Sequence, residues 1–139
     1  MKLSPSMKKL MVKEMEFAAD RMKTAPTMAE KVFYFSAVYG AVGRVLNFEY
    51  EPELAFIHQT VQLAYNQVNA RVLNLVAKQD VAIGMPEGLF ERLQEGVEQL
   101  IALLQKGAPT YPALEYIAHV AFSTTGNGYF LYLRGMLEM

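Results

Sequence analysis

Apolar residues recur at steps of three and four through most of the chain, which is the spacing of a buried helix face. In the first segment this face consists of Met7, Leu10, Met11, Met15, Ala18 and Met22. The pattern predicts five helices, over residues 5–23, 28–47, 52–79, 87–106 and 112–123. Prolines and glycines lie at or between the ends of these segments, where they interrupt helical structure.

The predicted helix ends carry specific local signals. Ser4 followed by Pro5 is typical of a helix start, because the serine oxygen can accept from free amides and proline already has a helical φ. Thr27 and Glu30 have the spacing of a capping box. Gly107 is a typical residue for ending the fourth helix.

Residues 128–138 have two possible interpretations. Asn127-Gly128 between two apolar runs is a hairpin signal, but a lone hairpin is only marginally stable. We therefore favour a sixth helix there. The sequence predicts an all-α, single-domain bundle over residues 1–139 with five or six helices, the second and third being central.

The composition excludes several kinds of site and partner. The 139 residues include no cysteine, which excludes disulfides and thiolate metal sites. A net charge of −1 argues against nucleic acid as the main partner, because such proteins usually have a basic excess. The chain has no apolar run of about 18 residues and no signal-peptide core, so we expect a soluble, cytoplasmic protein without a membrane partner.

The third predicted helix is unusually poor in charge. Residues 54–77 contain one charged side chain, Arg71, and several amides. A surface helix normally has a charged face, so we interpret this helix either as the centre of the fold or as the strip where copies of the chain meet. The candidate interface or binding residues are Gln59, Gln62, Asn66, Asn69 and Arg71.

Arg71 lies in the same register as the apolar residues of its helix, where a permanently charged guanidinium needs acceptors. Three outcomes are open for it. It pairs with a buried acid, reaches the surface along its own stem, or holds an anionic ligand or partner group. The acids considered as partners are Glu30, Glu49 and Glu115.

A second set of residues could line a pocket for a small apolar or amphipathic ligand. Tyrosine and histidine side chains combine an apolar ring with a polar end. The candidates are Tyr39, His58, Tyr65, Glu115 and His119. The alternative for the aromatic residues is packing in the core. The alternative for Glu115 and His119 is a histidine ring that is hydrogen-bonded to a carboxylate or a carbonyl.

Gly40 and Gly43 lie within the second predicted helix, where each glycine costs about 1 kcal/mol relative to alanine. They indicate that a neighbouring backbone or a bulky ring comes close, or that space is left for a ligand. The chain has no Glu-x-x-His pair of the kind that builds a dinuclear metal site in a helical bundle. We expect no metal and no cofactor.

The sequence contains no catalytic motif, so we do not expect an enzyme. The leading hypothesis is a non-enzymatic interaction protein, a small helical subunit that self-associates or docks into a larger assembly. One alternative is a bundle that binds a small ligand in the Tyr/His-lined pocket. Another is a helical subunit of a nucleic-acid-processing complex, using the basic first helix with Lys8, Lys9, Lys13, Arg21 and Lys23.

Overall fold

The computed structural model of the chain describes residues 1–76 and 88–123, with the side chains at 74–76 and 123 excepted. All regular structure in these ranges is helical, which confirms the predicted all-α fold. The five helices are α1 (Pro5–Thr24), α2 (Met28–Leu46), α3 (Pro52–Val76), α4 (Leu89–Lys106) and α5 (Tyr111–Ser123). The predicted sixth helix at 128–138, and its hairpin alternative, lie outside the described residues.

Local signals set most helix ends as expected, but the Ser4 side chain makes no capping hydrogen bond at the start of α1, so that part of the prediction is wrong. The Thr27 hydroxyl accepts a hydrogen bond from the backbone N–H of Glu30 at 3.2 Å, which caps α2. Pro5 is the first residue of α1. Gly107 ends α4 with a φ of +69°, a left-handed conformation that a residue with a Cβ rarely adopts.

The helices pack as a closed ring in which each helix contacts chiefly two others. The order around the ring is α1, α2, α3, α5 and α4, and α4 returns to α1. Among the described helices, α2 and α3 each have two neighbours in this ring, as the other three do, so the ring order does not single them out as central. The physical reason is that α1 and α4 have charged outer faces but still bury complete apolar faces between their neighbours.

The core lies inside the ring and includes residues of all five helices. The methionine stripe of α1 is part of it, because Met11, Met15 and Met22 are almost completely buried. Phe35 of α2 is the bulkiest side chain that is fully enclosed. Removing such a ring would leave a cavity, which typically costs about 3–5 kcal/mol.

Two polar contacts tie neighbouring helices together. Glu53 near the start of α3 accepts hydrogen bonds from the backbone N–H and the hydroxyl of Thr110, at 2.8 and 2.7 Å, just before α5 begins. Gln94 of α4 donates to the carbonyl oxygen of Ala19 in α1 at 2.9 Å. Hydrogen bonds between buried groups fix the alignment of the helices they join, because breaking one leaves a desolvated polar atom.

None of the five helices in the described part of the chain combines the length and the apolarity needed to cross a lipid bilayer.

Candidate interaction surface

Helix α3 has one fully buried face. Leu54, Ile57, Val61, Ala64 and Val68 have no measurable exposure, and they follow the predicted three- and four-residue steps. The flanks of α3 contact α2 on one side and α5 on the other. The opposite face contacts neither of these helices, and within residues 1–76 and 88–123 it is open to solvent.

The predicted amide residues lie at different depths. Gln59, Gln62 and Asn66 are exposed, whereas Asn69 is partly buried. The structure therefore brings the first three onto one open surface of α3. Since the described helices leave this surface uncovered, it is the part of α3 that the interpretation as a strip where copies meet concerns.

Arg71 is separated from these amides, because its side chain faces the core and is only 3% exposed. Burial lowers the pKa of its guanidinium, although an arginine side chain in a protein retains its proton. This depth excludes the alternative in which Arg71 reaches the surface. Glu49, one of the acids considered as its partner, accepts a hydrogen bond from the backbone N–H of Ser4 at 2.9 Å.

The open face of α3 has a regular composition that the sequence interpretation did not single out. Its residues follow steps of three, four, three, four and three, which is the spacing of a coiled-coil seam. We call this set the α3 stripe: Phe56, Gln59, Leu63, Asn66, Ala70 and Leu73. The repeat is visible in the sequence, half a helix circumference away from the buried repeat, and its apolar members could have been found there.

The α3 stripe exposes large apolar side chains. Phe56 is 53% exposed, Leu63 is 48% exposed and Leu73 is 59% exposed. The ring of Tyr111, at the start of α5, lies edge-on to the Phe56 ring with 6.2 Å between centroids, and it extends the same surface. Because Arg71 faces inward, residues 56–73 of α3 present no full charge to solvent, whereas Glu115, one helical turn after Tyr111 on α5, is exposed.

Phe17, an exposed apolar residue on α1, has a charged neighbour. Along the outside of α1 and α2, the guanidinium of Arg21 lies 5.0 Å from the centre of the Phe17 ring. Arg44 forms an ion pair with Glu14 on the same surface. The absence of charge therefore distinguishes the α3 stripe from the α1 and α2 surface, which also contains exposed Leu10 and Phe33.

The predicted pocket aromatics come together, but as packed rings. The Tyr39 and His58 ring centroids are 5.8 Å apart, and those of Tyr39 and Tyr65 are 5.5 Å apart. A Cβ added to Gly43 would lie 3.0 Å from Nε2 of His58. The expected close approach is thus confirmed at this glycine, and the approaching group is the histidine ring.

Gly40 differs from Gly43, because a Cβ added there would meet nothing within 4 Å. The prediction that a neighbouring group comes close to Gly40 is therefore wrong. The aromatic rings contact one another, and the four described surface clefts are lined by other residues.

Glu115 and His119 lie on α5, which packs against α3 and α4. Glu115 is exposed and His119 is partly buried. Within residues 1–76 and 88–123, no group of three histidine, aspartate or glutamate side chains is placed to share a metal ion.

The largest described cleft, about 310 Å³, lies between the end of α1, the start of α2 and α4. Three of its charged groups already make local contacts. Lys31 donates from Nζ to the carbonyl oxygen of Met22 at 3.0 Å, which closes the end of α1. Glu95 accepts from the hydroxyl of Tyr116 at 2.9 Å, and Glu98 accepts from Gln94 at 3.1 Å. The cleft therefore favours no particular ligand.

No family model matches the chain, and neither a curated protein nor a solved structure is detectably similar to it. The α3 stripe is thus the feature of the molecule on which a functional proposal can be based.

Proposed function

We propose that this protein is a non-enzymatic interaction module that self-associates through the α3 stripe. The observation that supports the proposal is an uncharged outer helix face with coiled-coil spacing and three large exposed apolar side chains, Phe56, Leu63 and Leu73. The core of a protein interface is depleted in charge without being uniformly apolar. A stripe with two amides among apolar residues fits that composition.

The stripe also has the dimensions of a helix-pairing surface. The 18-residue segment 56–73 that contains the stripe spans roughly 27 Å at about 1.5 Å per residue. A helix outside a globular fold usually carries charges that keep it in water. Here, covering the apolar side chains removes them from water without burying a full charge.

A second copy of this chain is the occupant that the charge distribution favours. The chain has a net charge of −1, so two copies repel each other only weakly. A pairing of two identical surfaces about a twofold axis is the commonest way in which soluble proteins associate. An uncharged stripe offers no charge pattern that would select a different, oppositely charged partner.

Sedimentation velocity over a range of about 1–100 μM tests this proposal, because that range brackets an interface of modest affinity. The expected result is a particle that shifts with concentration from one chain mass toward twice that mass. A particle of one chain mass at every concentration would contradict self-association. A complex that contains this chain once, bound to a different protein through α3, would replace the second copy as the occupant.

A further inference from the structure

We propose that the two α3 helices pair side by side in the same direction, with each residue of the α3 stripe facing the same residue of the second copy. This inference rests on the proposed self-association and adds the orientation and register of the interface. It depends on the positions of Gln59 and Asn66 within the α3 stripe, where both side chains would face the second copy.

Parallel, in-register pairing places identical residues of the two copies opposite each other. Gln59 lies opposite Gln59 of the second copy, and Asn66 lies opposite Asn66. A carboxamide both donates and accepts hydrogen bonds, so two facing amides can satisfy each other. The apolar members of the stripe then meet apolar members, with Phe56, Leu63 and Leu73 each facing its own copy.

Antiparallel pairing over the full stripe mismatches these groups. Gln59 would lie opposite Ala70 of the second copy, and Asn66 would lie opposite Leu63. Each amide would then face a hydrocarbon side chain and lose partners that it had in water, which is unfavourable in an interface core. A polar residue at a core position of a coiled coil is known to specify register in this way.

Side chains on both flanks of α3 make contacts within their own chain. His58 and Tyr65 lie on the flank that contacts Tyr39 of α2. Glu53 lies on the other flank, where its carboxylate accepts both hydrogen bonds from Thr110. Parallel pairing brings the starts of the two α3 helices together. The hydrogen bonds from Thr110 hold each Glu53 carboxylate toward the α5 of its own chain.

Disulfide trapping tests the orientation, because the chain contains no native cysteine. Single variants Phe56→Cys and Leu73→Cys place one thiol near each end of the stripe. A disulfide requires Cα atoms within roughly 7 Å. In the parallel pair, each variant faces its own copy. In the antiparallel pair, each thiol is about 25 Å along the axis from its own copy, at about 1.5 Å per residue.

We expect each variant alone to form a covalent dimer under mild oxidation. The rate of covalent dimer formation should be at least about tenfold higher than for Leu10→Cys on α1, because association raises the effective concentration of the thiols. A mixture of the two variants should give only same-variant dimers. Dimers that join Phe56→Cys to Leu73→Cys would overturn parallel pairing and leave self-association intact.

Sedimentation of each reduced variant separates the remaining outcomes. If the reduced variants are dimers but neither cysteine forms a disulfide faster than Leu10→Cys, parallel in-register pairing is wrong, and the effect of Leu63→Glu on the dimer then shows whether the α3 stripe is the contact surface. If the unmodified chain is a monomer at all concentrations, self-association itself is wrong.

Discussion

Replacing Leu63 with glutamate is expected to convert the proposed dimer to a monomer. Leu63 lies in the middle of the α3 stripe and is 48% exposed in the single chain, so the monomer can keep the new carboxylate in water. In the dimer, two facing carboxylates would be buried without a counter-charge. A buried charge without a partner costs roughly 3–5 kcal/mol, so the dissociation constant should rise about a hundredfold or more. Sedimentation equilibrium at several concentrations measures this change.

Leu10→Glu is the matched control for this prediction. Leu10 is 53% exposed on α1, so the substitution introduces the same charge at a similar depth on another surface. It should leave the dissociation constant of the dimer nearly unchanged. Equal weakening by both variants would indicate a general effect of net charge, and a dimer that tolerates Leu63→Glu would exclude the α3 stripe as the interface.

Alanine substitutions at two helix glycines are expected to change stability in opposite directions. A Cβ added to Gly96 of α4 would lie 2.6 Å from Cγ1 of Ile117 and 3.2 Å from a Tyr116 ring carbon on α5. Ile117 is fully buried, so it has little room to move. A Cβ at Gly40 of α2 meets nothing within 4 Å. Both glycines lie within helices, where alanine is favoured by about 1 kcal/mol.

Gly40→Ala should therefore raise the free energy of unfolding by about 1 kcal/mol. Gly96→Ala gains the same helix preference but overpacks the contact between α4 and α5. Overpacking typically costs about 1–3 kcal/mol, and the 2.6 Å contact indicates the upper part of that range, so the variant should be less stable than the unmodified protein. Urea denaturation of the three proteins measures both changes. Equal stability of the two variants would mean that α4 and α5 pack less closely than described.

The helices were predictable because their signals are local. Pro5, the Thr27 cap and Gly107 each act within one turn of the helix they start or end. The ring order was not predictable in the same way. An apolar stripe shows which face of a helix is buried, but it does not show which neighbouring helix covers that face.

The candidate site was predictable only in part. The spacing placed Arg71 in the buried register of α3, where the structure has it. Charge depletion correctly marked α3 as unusual, but low charge does not distinguish an enclosed helix from one with an open, uncharged face. Tyr39, His58 and Tyr65 were predicted to line one pocket, and their rings lie next to one another. That their rings would pack against one another could not be read from sequence spacing.

Hydroxyl-radical labelling of the unmodified protein tests most directly whether a second copy covers the α3 stripe. The rate of side-chain oxidation reports solvent exposure, and Phe33 on α2, which is 65% exposed, serves as an internal reference for Phe56 and Leu63. We predict that Phe56 and Leu63 are protected relative to Phe33 at high protein concentration and lose that protection on dilution. Oxidation of Phe56 and Leu63 at concentration-independent rates, in constant proportion to Phe33, would show that the outer face of α3 stays in water and would contradict the account.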